Sequence, residues 1–164
     1  MKTCKEEWYD IVIKQENILQ VDYFTRENAL DLGLLIYKNA KQKYSENIAV
    51  QIMMEGTTVF SIAMGETGEQ SYMWMKCKYN TFLKTGQSSM RALVERVLGK
   101  REKETWCDVK MSYLLAGGAF PIRLKNGEIK GCILVSGLEH QEDHQLIIDS
   151  FLELLGIHME ERIC

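Results

Sequence analysis

Two histidines and an aspartate late in the sequence are the first candidates for chemistry. His140 and His144 are four residues apart, so a helix would place both imidazoles on one face. Such a pair could bind a metal ion or a haem iron, and Asp143 could act with His144 as an acid–base pair. The spacing supplies no obvious third ligand, and neighbours in a helix do not face each other. The alternative is that the histidines bond the backbone or a neighbouring subunit.

A glycine pair, Gly117-Gly118, is the second candidate. It stands shortly before Phe120 and Pro121, the one proline of the chain. Consecutive glycines can expose backbone N–H groups to an anion. The pair lacks the strand-then-helix context of a dinucleotide-binding loop, and it is not a P-loop. The alternative is that the glycines permit a sharp bend and close packing, with Pro121 in an edge strand.

Serines and cysteines favour structural roles. Ser88 and Ser89 have no nucleophile-elbow motif around them, so one of them is predicted to cap a helix. Cys132 lies in a strand pattern and is predicted to be a core thiol, whereas Cys77 stands between two lysines and is a candidate reactive thiol. The five cysteines are widely spaced and form no Cys-x-x-Cys pair: Cys4, Cys77, Cys107, Cys132 and Cys164. This pattern indicates reduced thiols in a reducing compartment.

The elements that must position these residues follow from hydrophobic periodicity. Five segments have apolar residues at helical spacing: about 3–19, 26–44, 71–84, 89–98 and 141–155. Four segments are β-type runs: 48–54, 57–64, 120–124 and 128–135. Glu55-Gly56 joins the first two runs, and Asn126-Gly127, which suits a type I′ turn, joins the last two. The order ααββααββα, with a possible short strand near Tyr113, implies an antiparallel sheet covered by helices, an α+β fold.

Composition excludes several classes of protein. With 164 residues, 46% of them hydrophobic, the chain can bury the core of a single domain. A net charge of -3 argues against a nucleic-acid binder, and the sequence has no apolar run of membrane-spanning length. Acids follow the N-terminus where a signal peptide would become apolar, so a cytoplasmic location is expected. We divide the chain into an N-terminal helical extension, residues 1–24, and one domain, residues 25–164.

Charge is unevenly distributed along the chain. Lysine and arginine dominate residues 72–103, and acids dominate residues 139–164. These segments could be two solvated faces of opposite sign. Alternatively, they are complementary faces of an oligomer, or the first is a basic rim for an anionic ligand.

Several motifs occur together in one order. They are Trp74 with Lys78, Ser88-Ser89, Gly117-Gly118-x-Phe120-Pro121-Ile122, Gly131, Val135-Ser136-Gly137-Leu138 and Asp143-His144. In this order they resemble the haem-degrading-domain superfamily of HbpS-like and GlcG-like proteins. The resemblance is strongest to the cytoplasmic branch ending in Ser-Gly-Leu…Asp-His, and it covers roughly residues 25–156. The chain departs from that branch at Cys77, where relatives tend to carry arginine before the lysine.

The resemblance implies a compact antiparallel sheet of about five strands with helices on its faces, assembled into a symmetric homo-oligomer. Some members bind haem or other tetrapyrroles, and others accompany glycolate or diol metabolism without an assigned reaction. We therefore expect a non-catalytic, oligomeric small-ligand-binding domain without a metal site. Its ligand would be an anionic, cofactor-like molecule, with haem as the possible cofactor. The alternatives are a protein-interaction subunit and a metal-independent enzyme that uses Asp143 and His144.

The resemblance and the motifs together suggest a set of ligand-binding residues. Lys78 would meet a carboxylate, Gly117 and Gly118 would let the backbone approach, and His144 would be an axial or polar contact. The whole set is Trp74, Lys78, Gly117, Gly118, Phe120, Asp143 and His144.

Overall fold

The computed structural model describes residues 1–44, 47–101 and 111–164. Within these residues, five helices and five strands follow one another in the order αβαββααββα, so the predicted α+β class is confirmed. The helices are α1 Cys4–Ile18, α2 Arg26–Lys43, α3 Glu69–Thr85, α4 Ser89–Val97 and α5 His140–Leu155. The strands are β1 Gln20–Val21, β2 Ala49–Met54, β3 Thr57–Ala63, β4 Ala119–Leu124 and β5 Ile129–Ser136.

The five strands form one mixed sheet in the order β1-β4-β5-β2-β3. β1 runs parallel to β4, and the other neighbours are antiparallel. The prediction of a purely antiparallel sheet is therefore wrong, and the predicted element order lacks β1. A two-residue strand is too short to show periodicity, and β1 exists only because β4, a hundred residues later in the chain, pairs with it. The possible strand near Tyr113 is absent from the described residues 111–118.

The two hairpin turns differ from each other. At the β2–β3 turn, Glu55 has φ 51° and Gly56 has φ 78°, so both central residues have the positive φ of a type I′ turn. At the β4–β5 turn only Gly127 does, with φ 92°. The side chain of Asn126 accepts the backbone N–H of Glu128, an Asx-type interaction that fixes a different turn. The type I′ prediction at Asn126-Gly127 is wrong.

Alternation along the strands places a separate core on each face of the sheet. On one face, strand residues pack against α2 and α5: Val50, Ile52, Phe120, Ile122, Ile133 and Val135 with Leu32, Ile36, Ile148 and Phe151. On the other face they pack against α3: Ala49, Ala119, Cys132 and Leu134 with Met75 and Phe82. Both sides of the central strands are thus covered, which makes the short run 131–136 buried throughout.

Pro121 does not lie in an outer strand, because β1 lies beyond β4 in the sheet. This corrects the edge-strand prediction. β1 pairs only with Arg123 and Leu124, however, so Pro121 has no strand neighbour on that side. Its missing N–H therefore costs no ladder hydrogen bond.

The N-terminal helix α1 is packed against α4 and the end of the chain. Trp8 and Val12 of α1 share a small core with Met90, Val94 and Ile163. The division into an extension, residues 1–24, and a domain, residues 25–164, stays a prediction. None of the helices in the described residues is long and apolar enough to cross a membrane.

Candidate functional site

A buried ion pair joins two of the residues singled out from the sequence. The Lys78 Nζ on α3 lies 2.9 Å from Oδ2 of Asp143 on α5, and the two side chains are 4% and 2% exposed. Nζ also donates to the carbonyl oxygen of Val135 at 3.0 Å. The other carboxylate oxygen of Asp143 accepts the backbone N–H of Leu138 at 3.0 Å. Lys78 thus meets a carboxylate, and this carboxylate belongs to the protein itself.

Burial dominates the electrostatics of this pair. Removal from water raises the pKa of Asp143 to about 6, against the opposing effects of the Lys78 charge and the Leu138 N–H. Removing either residue would leave the other as an unpaired buried charge, which would strongly destabilise the fold. The pair therefore anchors α3 to α5 and to the end of β5.

Gly117 and Gly118 are packed too tightly for any side chain. A Cβ at Gly117 would lie 2.3 Å from the carbonyl oxygen of His140, and one at Gly118 would lie 2.4 Å from that of Val135. Gly118 also has φ 128°, which favours glycine. The N–H of Gly117 donates to Nδ1 of His140 at 3.2 Å, so this donor is already in use. The prediction that the glycines permit close packing is confirmed.

His144 is fully buried beneath the helix α1. Its Nε2 lies 2.7 Å from Oε1 of Gln15, which can only accept, so the imidazole proton is on Nε2. Nδ1 is buried and has no hydrogen-bond partner in the described residues. The ring meets the Phe120 ring edge-on at 5.9 Å. Burial lowers the pKa of His144 to about 3, so the ring is neutral at physiological pH.

His140 lies at the start of α5 and is only partly buried. Because its Nδ1 accepts the Gly117 N–H, the neutral ring carries its proton on Nε2. Burial first, then the charges of Lys5 and Lys78, lower the pKa of His140. The ring packs edge-on against Trp8 at 6.1 Å. The two imidazoles thus bond to different neighbours. In the part of the chain that is described, no three His, Cys, Asp or Glu side chains are grouped to hold a metal ion.

Trp74 is the one predicted site residue on the surface. It is 45% exposed, and its neighbour Met73 is 60% exposed, on the side of α3 that faces away from the sheet. Met73 lines a groove of about 510 Å³, which we call the α3 groove, and Trp74 follows it in the same helix. Its lining residues are Met73, Lys76, Cys77, Asn80, Met111 and Ser112. Cys77, the candidate reactive thiol, lies in this lining. Cys107 lies outside the described residues.

The cluster therefore consists of a buried part and a surface part. Lys78, Gly118 and Asp143 are brought together, with Gly117 and Phe120 packed against the two histidines. Asp143 and His144, adjacent in the sequence, share no hydrogen bond in the described structure, since Asp143 bonds to Lys78 and His144 to Gln15. Cys132 is fully buried, and burial raises the pKa of its thiol well above the usual value, as expected of a core thiol.

A family model described as haem degrading protein HbpS-like matches residues 24–151, more than half of the chain. The chain belongs to the HbpS-like family. The family resemblance seen in the motif order is therefore confirmed. In this HbpS-like chain, the matched range includes every predicted site residue and ends within α5.

Proteins named UPF0303 are similar to this HbpS-like chain. One from Psychromonas ingrahamii is 34% identical over 145 residues, covering 88% of this chain and 91% of its own. One from Yersinia enterocolitica is 30% identical, covering 88% and 86%. The crystal structure of Ybr137w protein aligns with a TM-score of 0.80 at 25% identity, covering 90% of this chain and 87% of that one. The crystal structure of HbpS, with a TM-score of 0.59 at 17% identity and 84% and 93% coverage, shows the fold alone.

Polar residues that no sequence motif indicated support the buried histidine of this HbpS-like chain. Gln15 accepts from His144 and donates to Oε1 of Gln145 at 3.3 Å. Gln145 in turn donates to Asp149 at 3.0 Å. The available signal was Gln15 itself, a polar residue on the apolar side of α1. A buried amide at such a position needs a partner, which here comes from α5.

His144 should make the protein sensitive to acid. Its pKa is about 3 when folded and 6.5 when free, so between these values the unfolded chain binds a proton that the folded chain does not. The stabilisation is fully present above pH 6.5 and is lost as pH falls towards 3, at up to about 1.4 kcal/mol per pH unit. We expect His144→Gln, which keeps a donor for Gln15, to remove this dependence. Urea unfolding of both proteins across this range measures it.

The comparison must be made as a difference, because Asp143 acts in the opposite direction. Its raised pKa means that its contribution is present below 3.8 and is lost as pH rises through about 6. This contribution is common to wild type and His144→Gln, and it cancels when their free energies of unfolding are subtracted. A difference that stays constant over the whole range would contradict the prediction.

Proposed function

We propose that this protein is a non-catalytic, homo-oligomeric small-ligand-binding domain of the cytoplasm. Its ligand is an anionic, cofactor-like molecule, and a tetrapyrrole such as haem is the first candidate. Membership of the HbpS-like family supports this proposal. The observation that carries it is the α3 groove, in which the thioethers of Met73 and Met111 and the thiol of Cys77 meet the ammonium group of Lys76.

The chemistry of the α3 groove suits a tetrapyrrole. Such a molecule presents a broad apolar face, carboxylates at one edge and, in haem, an iron that accepts soft ligands. Met73 and Cys77 carry sulfur donors of types that bind haem iron. Lys76 can meet a carboxylate, and Trp74 can cover an apolar face.

The other predicted residues are proposed to support this groove from below. The Lys78–Asp143 pair fixes α3, on which Trp74 and Cys77 also lie. Gly117, Gly118, Phe120 and His144 hold the neighbouring segment and α5 in place through the contacts described above. A ligand would thus touch Trp74 directly and depend on the remaining six for the position of the helix.

An oligomer is proposed because large apolar side chains are exposed on α3. Met73, Trp74 and Leu83 are 60%, 45% and 55% exposed, a composition typical of the centre of a protein interface. The same observation favours the second candidate, a non-catalytic subunit whose exposed α3 face docks a protein partner. The enzymatic alternative has no such support, because Asp143 and His144 are both buried and bond to other groups.

Haem titration of the purified protein tests the proposal. We expect a saturable Soret band, and Trp74→Ala should weaken binding about tenfold or more, since exposed aromatic anchors commonly contribute over 1 kcal/mol. Tyr23→Ala is the matched control, because Tyr23 is an exposed aromatic residue that does not lie on α3.

Size exclusion with light scattering, run on the same samples, separates loss of ligand from loss of assembly. A mass of one 19.0 kDa chain at micromolar protein would contradict the oligomer. No specific Soret change, or equal losses in Trp74→Ala and Tyr23→Ala, would contradict haem binding at this surface. Capture of a defined protein partner by wild type but not by Trp74→Ala, without ligand, would favour the interaction subunit instead.

A further inference from the structure

A second groove, of about 510 Å³, lies where the end of α1, the α3–α4 turn and the β4–β5 turn come together. We call it the arginine groove, because two guanidinium groups line it. Its lining residues are Glu16, Asn17, Gln20, Thr85, Gly86, Gln87, Arg91, Arg123, Gly127 and Ile129. It shares no residue with the α3 groove, so the inference below does not rest on the proposed function.

Arg123 is held in this groove without being neutralised. Its Nη2 donates to the carbonyl oxygen of Gly86 at 2.5 Å, and its Nη1 donates to that of Gly127 at 3.4 Å. Carbonyl oxygens orient the guanidinium but carry no formal charge. No carboxylate pairs with Arg123 among the described residues, and two of its five N–H groups are used by these bonds. A planar fork with spare donors is the usual recognition element for an oxyanion.

Glu16, the carboxylate in the groove lining, forms its ion pair with the second arginine, Arg91. Arg91 donates from Nη1 to Glu16 at 3.3 Å and from Nε to Glu95 at 3.0 Å. Glu16 is buried, and its other oxygen accepts the backbone N–H of Ser88 at 3.2 Å. Burial raises the pKa of Glu16, and the charges of Arg91 and, less strongly, Arg123 oppose this effect. The lining thus carries two guanidinium groups and one carboxylate, and in the described residues only Arg91 forms an ion pair with that carboxylate.

The rim of the groove adds an apolar contact. Ile129 is 37% exposed, and its Cδ1 lies beside Gly86. Thr85, Asn17 and Gln20 supply uncharged polar groups around it. A ligand for this groove would thus combine an oxyanion with a small apolar part, rather than being a bare inorganic ion.

We propose that the arginine groove is a binding site for the carboxylate or phosphate group of a small molecule, with Arg123 as the recognition residue. The geometry is prepared in advance, because backbone carbonyls fix the guanidinium before any ligand arrives. Such preorganisation reduces the entropy lost on binding. The site lies at the far end of α3 from Trp74, so both grooves can be occupied at once.

Titration with phenyl phosphate and with benzoate, followed by the Cδ1 methyl NMR signal of Ile129, tests this site in the full-length protein. We expect a saturable shift with at least one of the two probes. Arg123→Gln should weaken binding about tenfold or more, because it removes a charge-assisted bidentate contact. The affinity of Arg123→Lys should lie between those of wild type and Arg123→Gln, since lysine keeps the charge but lacks the planar fork of N–H donors.

Lys125→Gln is the matched control. It removes the same charge from the same hairpin, but Lys125 is exposed and pairs with Asp22 outside the arginine groove. Equal weakening by Lys125→Gln and Arg123→Gln would overturn the proposal, because it would indicate general electrostatic attraction. The relative affinities of the two probes identify the carboxylate or the phosphate as the preferred group.

Far-UV circular dichroism and thermal unfolding show whether Arg123→Gln is folded. If Arg123→Gln is unfolded, the titration of wild type and of Arg123→Lys still tests the site. No saturable shift at Ile129 with either probe, or saturation that leaves Ile129 unchanged, overturns the site. A saturable shift at Ile129 that is weaker in Arg123→Lys supports it.

Discussion

Replacing Lys78 with methionine should lower the free energy of unfolding by about 3–5 kcal/mol, because it leaves Asp143 buried without its partner. Lys78 Nζ is 2.9 Å from the carboxylate, and both side chains are almost completely removed from water. The loss is comparable to the whole stability of many domains, which is about 5–15 kcal/mol. Chemical denaturation monitored by circular dichroism measures it.

Two further variants identify the cause of that loss. Lys76→Met makes the same change on the same helix at an exposed position, and it should change stability by no more than about 0.5 kcal/mol. Lys78→Met combined with Asp143→Asn removes both charges and keeps an acceptor for the Leu138 N–H. This double variant should be more stable than Lys78→Met alone, since the unpaired charge is gone. If Lys78→Met were as stable as Lys76→Met, the pair would not anchor α3.

Local signals in the sequence predicted the helices well, because their causes are local. Thr25 caps α2 by accepting the Asn28 N–H, and Ser88 caps α4 by accepting the Arg91 N–H. Gly86 ends α3 with a positive φ of 66°. Each of these contacts joins residues a few positions apart, so each depends on residue type and spacing alone, as the predicted cap at Ser88 or Ser89 does.

Contacts between distant segments could not be predicted in the same way. β1 depends on pairing with Arg123 and Leu124, and its own two residues carry no pattern. The Asn126-Gly127 turn matched a type I′ signal, but a side-chain hydrogen bond to Glu128 competes with that conformation. A short motif gives the conformations that a turn permits, whereas the observed one depends on everything that the turn contacts.

The candidate site illustrates the same limit. Motif order was enough to select Lys78 and Asp143, but the sequence does not show which group pairs with a given lysine. A ligand carboxylate and the carboxylate of Asp143, which is 65 residues away, satisfy the same chemical expectation. The α3 groove depends on which side of α3 faces the sheet and on where residues 111–112 run.

Gly118→Ala should prevent normal folding or cost about 4 kcal/mol or more, among the largest effects of a single substitution. An added Cβ would lie 2.4 Å from the Val135 carbonyl oxygen and 2.5 Å from the Lys78 Nζ. The oxygen is part of β5 and cannot move aside, and the nitrogen is held by the buried pair. The φ of 128° adds strain that only glycine avoids. Soluble yield and the melting temperature measure the effect.

Gly68→Ala is the matched control for this prediction. Gly68 precedes α3, has φ -125°, and has nothing within 4 Å of an added Cβ. Alanine is a poorer N-cap than glycine, so this change should cost about 1 kcal/mol, well below the loss expected at Gly118. If Gly118→Ala matched Gly68→Ala in yield and melting temperature, Gly118 would not be needed for the close approach of β5 and Lys78. Because that approach positions the buried pair, the argument that the pair anchors α3 would then fail with it.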